Sequence, residues 1–487
     1  MRITRRNLLG GIAAGLPLAA FGETVERPAT RAGRITPSFN IEQIFATSGL
    51  GQNTGCFLVD LRTGREAESH NSDLARPPAS VTKAITALYA QAKLGNEHRF
   101  ETRLVATGAI NNGTLAGDLY LIGGGDPTLD TDGLNRLVSA AKAAGLRRIS
   151  GRFFVMSGAL PLIEAIDPRQ PIHVGYNPGL SGLNLNHNRV YFEWKRLSGQ
   201  YRVTMDARSE RVRPAVTSAS MSISQRGAPV YGYEHRDGVE HWTVARGALG
   251  SGGGRWLPVR DPATYGAEVF QVLAAAQGIS LPRALAATSA PRGTVIAQLQ
   301  STDLRTIQTN MLRYSTNLTA EVLGLSATKM AGGRATSLRL SAQEMGRWMA
   351  QQSTSSAPNL FNHSGLTDRS RLTAREMVLF LAKRDSRRGL SGIMREVALQ
   401  NGRGDGVKIP GVSVYAKSGT LNFTRGLAGY IEKAGEQRYA FAVFTADMAA
   451  RRAAPQGEER PAGARTWRGV ARAQENALVY RWASTLI

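Results

Sequence analysis

Apolar and polar positions divide the chain into strands and helices of recognisable period. Gly55-Cys56-Phe57-Leu58-Val59-Asp60-Leu61 is a short, nearly continuous apolar run, the pattern of a buried strand. Arg62-Thr63-Gly64 turns it, and Glu66 to Asn71 returns as a second strand. Arg76-Pro77-Pro78-Ala79 then signals a helix start. From Ser80, the spacing of Val81, Ile85, Leu88 and Tyr89 predicts a mostly buried helix that Gly95 ends. Thr102 to Ile110 and Leu115 to Ile122 flank Asn111-Asn112-Gly113-Thr114, a hairpin signal. Leu134 to Ala144 reads as a helix stopped by Gly145.

From about residue 150 to 260, short strand patterns alternate with Gly/Pro turns, among them Val190 to Trp194 and Tyr201 to Met205. Gly247 to Gly254 reads as a glycine-rich loop. Helical spacing returns over Tyr265–Gln277, Thr302–Arg313, Asn317–Met330 and Ser341–Gln352. Val412–Ala416, Leu427–Ile431 and Tyr439–Phe444 then predict three strands, the last two joined by a turn at Lys433 to Glu436. Thr466 to Trp482 is a closing helix, expected to pack on the sheet despite its two tryptophans. A helical block with an antiparallel sheet, interrupted by a β-rich insertion, is an α+β arrangement.

Composition changes this picture little, and charge changes it more. The 487 residues are 42% hydrophobic and 20% charged, enough apolar material for two or three cores. The formal net charge is +23, which calls for a polyanionic surrounding. A pI near 10.7 ordinarily suggests nucleic acid. The N-terminus argues against that: Arg5-Arg6 precedes the apolar run Leu8 to Ala20, and Ala20-Phe21-Gly22 offers small residues for cleavage. This is the order of a bacterial signal peptide of twin-arginine type. An exported, periplasmic protein meets anionic wall or membrane surface, not nucleic acid. Cys56, the single cysteine, makes no intramolecular disulfide and reads as a small core residue. No CxxC, HExxH or EF-hand loop occurs, so neither a metal nor a cofactor is expected.

A serine hydroxyl needs a base within hydrogen-bond reach to act as a nucleophile. Ser80 and Lys83 are three apart, so a helix puts them on one face. Lys83 is the only charged residue between Arg76 and Lys93, and a lysine desolvated on an apolar helix holds its neutral, basic form more readily. Ser80 at a helix start also has an N–H free for an oxyanion hole. The spacing alone discriminates poorly, because Ser139/Lys142 and Ser326/Lys329 share it. Ser315-Thr316-Asn317 and Lys417-Ser418-Gly419-Thr420 separate the candidates, since Lys-Ser/Thr-Gly occurs only at 417. The order Ser80, Ser315, Lys417 is that of penicillin-interacting serine enzymes.

With these residues the chain resembles the D-alanyl-D-alanine carboxypeptidase/endopeptidase family, the class C low-molecular-mass penicillin-binding proteins. Pro78-Ala79-Ser80-Val81-Thr82-Lys83 is similar to the family's nucleophile motif, and Ser315-Thr316-Asn317 to its second motif. Gly117 to Leu121, Gly124 to Leu129 and Leu183-Asn184-Leu185-Asn186-His187-Asn188 resemble signatures of its long insertion. His363-Ser364-Gly365-Leu366-Thr367 resembles the stretch ahead of the third motif. Thr316 and Asn362 stand where the family often has Asp, which bears on substrate preference more than on chemistry.

The resemblance implies a penicillin-binding-protein/β-lactamase-like transpeptidase domain. Its parts would be a signal peptide over 1–22, the first part of the catalytic domain over 23–98, a β-rich insertion over 99–262 and the second part over 263–487. It implies that Ser80 attacks the bond between two D-alanines of a peptidoglycan stem peptide and that Lys83 takes its proton. Ser315 would bridge Lys83 and Lys417 and relay a proton to the leaving amine, and Asn317 would hold the substrate amide. Lys417-Ser418-Gly419-Thr420 would bind substrate, with Lys417, Ser418 and Thr420 on the terminal carboxylate. The N–H groups of Ser80 and Thr420 would form the oxyanion hole, and β-lactam antibiotics would acylate the same serine. Each residue alone has a plain structural explanation: Ser80 and Asn317 as helix caps, Lys83 as a snorkelling lysine. Asp126-Pro127 after three glycines reads as a turn device, not a catalytic acid. A β-lactamase-like hydrolase and a catalytically silent wall-binding protein remain the alternative functions.

Overall fold

The structure, a computed structural model, describes residues 40–401 and 404–486. The segment read as a signal peptide lies outside them. The chain folds as two compact units. One comprises Lys93–Ile307 and Thr316–Ser341; the other comprises residues 40–92, Gln308–Ser315 and 342–486.

The second unit is built on a six-stranded antiparallel sheet. Its strands run in the order Arg395–Glu396, Val412–Leu421, Thr424–Lys433, Glu436–Ala446, Thr54–Asp60, Glu66–His70. The central strands are buried on both faces, as their continuous apolar runs require. On one face pack the helices Ile41–Ser48 and Ala464–Thr485, burying Phe45, Leu478 and Trp482 against Leu58, Phe441 and Ile431. Trp482 is fully buried beside the Phe441 ring and donates its indole N–H to Glu68 at 2.6 Å. The closing helix therefore lies on the sheet, as its pattern predicts. Cys56 is a core residue of this face, and burial pushes its thiol pKa far up. The helix Ala374–Leu381 covers the strands Thr54–Asp60 and Glu436–Ala446.

The first unit holds a mixed five-stranded sheet of Ala284–Ala286, Phe153–Met156, Leu119–Gly123, Glu101–Ala106 and Thr294–Gln300. The helices Thr131–Ala143 and Pro262–Ala276 pack together against it and seal a core of Leu104, Leu121, Leu134, Phe153 and Phe270. Two three-stranded sheets follow. One is antiparallel, ordered Gln200–Asp206, Arg189–Leu197, Gly252–Pro258; the other is ordered Ala219–Ser224, Val239–Ala245, Tyr231–Arg236. The stretch read as a glycine-rich loop thus starts in a 3-10 turn, Arg246–Ala248, and is strand from Gly252. Gly253 joins a strand because a Cβ there would meet the Trp194 ring at 2.6 Å, so glycine lets strand and ring close together.

The asparagines of Leu183 to Asn188 form a buried knot. Asn186-His187-Asn188 run with φ of 52, 57 and 51°, a left-handed stretch held by Asn188 to the Gly179 carbonyl and by Asn186 to Thr131. Asp126 accepts the Thr128 N–H and hydroxyl at 2.8 and 2.6 Å, an Asx-type turn, and burial raises its carboxyl pKa. Among the described residues, no helix is long and apolar enough to cross a membrane.

Candidate active site

Pro78 sits in helical conformation and leads into a single 3-10 turn, Ala79–Val81, before the helix Thr82–Leu94 begins. Ser80 therefore lies one turn ahead of the α-helix proper. That helix is buried along Thr82 to Ala90, and Lys83 on it is 0% exposed. The Lys83 amine donates to the Ser80 hydroxyl at 2.9 Å and to the Ser364 carbonyl at 2.7 Å. Three apart across a turn, serine and lysine meet as the helical spacing predicts.

The Ser364 carbonyl reaches Lys83 because its segment is fastened to the turn that carries Ser80. The Thr86 hydroxyl holds the His363 carbonyl at 2.7 Å, and Asn362 accepts the Gly365 N–H at 2.9 Å. Gly365, at φ 73°, packs so closely that a Cβ would fall 1.8 Å from the Ala79 carbonyl oxygen. The His363 ring is fully buried, with Nδ1 3.4 Å from Met345 Sδ, and burial lowers its pKa to about 3. It is a packed neutral ring.

A second pair stands on the sheet. Lys417, 4% exposed on the strand Val412–Leu421, donates to the Ser315 hydroxyl at 3.1 Å and to the Ser418 carbonyl at 2.7 Å. Gly419, two residues on, joins the two pairs. A Cβ on it would lie 2.7 Å from the Ser80 nitrogen and 2.8 Å from the Pro78 carbonyl oxygen. The strand thus runs against the main chain of the Ser80 turn. Two non-glycine residues here sit at positive φ: Ala79, just before Ser80, at 46°, and Ser315 itself at 58°. Such backbone costs about 1–3 kcal/mol per residue and clusters where a site needs fixed geometry.

Thr420, exposed, pairs across the ladder with Arg425, whose guanidinium reaches its hydroxyl at 3.4 Å. Arg425 in turn forms an ion pair with Glu475 at 2.6 Å. Burial raises the Glu475 pKa and the Arg425 charge opposes that rise. One unit therefore brings together Ser80, Lys83, Ser315, Lys417, Ser418, Gly419 and Thr420. Asn317 belongs to the other unit, where it opens the helix Asn317–Met330 and donates its amide to the Tyr176 carbonyl at 2.9 Å.

The two decoys are spent elsewhere. The Ser139 hydroxyl bonds Asn135 and Gln277, and Lys329 bonds the Ala159 carbonyl. Sequence reasoning gave no role to the Ser364 carbonyl, the Tyr176 carbonyl or the Arg425–Glu475 pair. His363 to Thr367 carried a signal, but a main-chain contact leaves no mark in side-chain identity.

Residues 38–464 match the D-Ala-D-Ala carboxypeptidase 3 (S13) family. A D-alanyl-D-alanine carboxypeptidase of Actinomadura sp. (strain R39) is 28% identical over 180 residues, 36% of this chain and 34% of that protein. The D-alanyl-D-alanine carboxypeptidase DacB of Haemophilus influenzae is 29% identical over 114 residues, 23% of this chain and 24% of that protein. The matched stretches thus span about a third and a quarter of these curated relatives. The crystal structure of penicillin binding protein 4 (dacB) from Haemophilus influenzae has the same fold, at TM-score 0.71 and 20% identity, over 91% of this chain and 98% of that one.

Proposed function

Because the chain belongs to the D-Ala-D-Ala carboxypeptidase 3 (S13) family, we propose that it is a serine DD-peptidase that cleaves the D-Ala-D-Ala bond of peptidoglycan stem peptides. The observation that carries this reading is the Ser80 hydroxyl 2.9 Å from the buried Lys83 amine, with Gly419 of the Lys-Ser-Gly strand closed against the same turn.

In the proposed reaction Ser80 Oγ attacks the carbonyl carbon of the penultimate D-alanine and its proton passes to Lys83. To accept it, the Lys83 nitrogen must turn its lone pair to Ser80 Oγ, 2.9 Å away, where the contact to the Ser364 carbonyl at 2.7 Å helps to fix it. The Ser80 and Thr420 N–H groups stabilise the oxyanion, a contribution of about 10²–10³ in rate per donor in other acyl transferases. Ser315, hydrogen-bonded to Lys417, passes a proton to the leaving D-alanine amine and is reprotonated by Lys83, which gives up the proton it took from Ser80. Water then hydrolyses the acyl-enzyme and frees Ser80. Lys417, Ser418 and Thr420 take the terminal carboxylate.

Fluorescent penicillin should label the purified protein covalently, and Ser80→Ala should abolish labelling. Equal labelling of the variant would refute the assignment. Digestion of cross-linked muropeptides with mass analysis reads D-alanine release and cross-link cleavage separately, and a silent wall-binding protein gives neither. Rapid loss of penicillin, with no muropeptide product, would favour the β-lactamase-like alternative.

The Arg5-Arg6 pair before an apolar run supports export to the periplasm by the twin-arginine route. Changing both arginines to lysine should block export, and an unchanged periplasmic yield would exclude that route.

A further inference from the structure

We infer that the hairpin end of the first unit is a docking surface for an anionic lipid bilayer, separate from the peptidase chemistry. Three segments meet there. The strands Arg189–Leu197 and Gln200–Asp206 form the hairpin, with Lys195 opposite Arg202 and Arg196 opposite Tyr201. The loop ahead of the strand Gly252–Pro258 is strapped to it: Tyr201 donates its hydroxyl to the Gly250 carbonyl at 2.6 Å, and Trp194 donates to the Leu249 carbonyl. Arg246 reaches the Gly199 carbonyl at the hairpin turn at 3.3 Å. The residue before it, Ala245, holds the Val230 carbonyl at 2.8 Å, which brings in the third segment.

The charge of this end is predominantly positive; Glu193, the ladder partner of Thr204 and Gly254, borders it and is ion-paired to Arg208 at 3.0 Å. Residues 194–204, 226–233 and 244–256 contain Lys195, Arg196, Arg202, Arg226, Arg246 and Arg255 and no Asp or Glu. Lys195, Arg196 and Arg202 are exposed. Arg196 and Arg246 both lie over the Tyr201 ring, at 5.9 and 5.1 Å, which helps hold two like charges close together. A fixed array of cations complements an anionic surface.

Apolar exposure selects lipid over a soluble polyanion. Leu197, at the hairpin turn itself, is 47% exposed, and Val230 is 42% exposed. A polymer of negative charges has no use for these side chains. A bilayer takes the cations at its headgroups and a leucine at the acyl boundary.

The test is co-sedimentation of the purified full chain with phosphatidylcholine vesicles, with and without phosphatidylglycerol. The parent should bind only the anionic vesicles, and added salt should release it. Each cation near an anionic surface strengthens binding about fivefold. The triple variant Lys195→Gln, Arg196→Gln, Arg202→Gln should therefore bind more than tenfold more weakly, and Leu197→Ser several-fold more weakly. Leu197→Trp should shift its emission to the blue with anionic vesicles alone. Equal binding of parent and triple variant overturns the surface. So does binding that ignores phosphatidylglycerol. Leu197→Ser binding vesicles as the parent does, with poly-glutamate competing equally against both, overturns lipid in favour of a general polyanion. Penicillin labelling, measured on every variant, reports folding and the peptidase reading independently of vesicle binding.

Discussion

A methyl group on Gly419 has nowhere to go: its nearest neighbours would be the Ser80 nitrogen at 2.7 Å, the Pro78 oxygen at 2.8 Å and the Ala79 Cβ at 2.9 Å. Two of the three are backbone, so the Ser80 turn or the strand must move. Misplacement by an ångström costs about 10² in rate where geometry carries catalysis. Gly419→Ala should slow acylation by labelled penicillin at least about 100-fold, while overpacking costs about 1–3 kcal/mol of stability. Gly406→Ala, where a Cβ meets nothing within 4 Å, is the control and should label as the parent does. Wild-type labelling of Gly419→Ala would mean that the strand does not set the Ser80 position. The meeting of Ser80 with Lys83 and of Ser315 with Lys417 was legible because both contacts are between side chains whose types and order stand out from the decoys. The Ser364 carbonyl was not, because any residue could supply it.

Elements were legible where apolar spacing was strong and local signals agreed. The helix Asn317–Met330 follows its sequence pattern from end to end. The helix Ala374–Leu381 went unread, although Thr373 and Glu376 form a capping box that the sequence displays. The Ser80 turn reads as α-helix from Ser80 on spacing alone, yet the chain takes a 3-10 turn first, under the contacts of Gly365 and Gly419. No local propensity encodes those partners, which lie more than 280 residues away in the sequence. The closing helix depends on tertiary packing in a way that can be measured. Trp482→Ala removes a fully buried ring packed on Phe441 and should cost about 3–5 kcal/mol. Hydrogen exchange should then accelerate in the strands Thr54–Asp60 and Glu436–Ala446 and stay slow in Glu101–Ala106, which belongs to the other unit. Equal acceleration in both would show that the units unfold as one.

At the scale of the whole molecule, buried titratable groups set opposing pH dependences within the first unit. Burial, with the Arg189 charge, lowers the His187 pKa from 6.5 to about 3, so between those values the unfolded chain holds a proton that the folded chain lacks. Stability due to His187 therefore falls as pH drops below 6.5. Burial raises the Glu240 pKa from 4.5 to about 7, against hydrogen bonds from the Asp261 and Arg260 amides. There the folded chain holds the extra proton, and stability falls as pH climbs from 4.5 to 7. Between 4.5 and 6.5 the two slopes have opposite sign and cancel, each being about 1.4 kcal/mol per pH unit. Glu240→Gln keeps the shape and removes the charge. Its stability relative to the parent, from urea unfolding across this range, should grow by about 3 kcal/mol between pH 4.5 and 7 and then level off. His187→Gln should instead gain on the parent as pH falls below 6.5. Referring each variant to the parent removes every other titrating group from the measurement. A Glu240→Gln advantage that is flat with pH would mean that Glu240 ionises in the folded chain as it does in water.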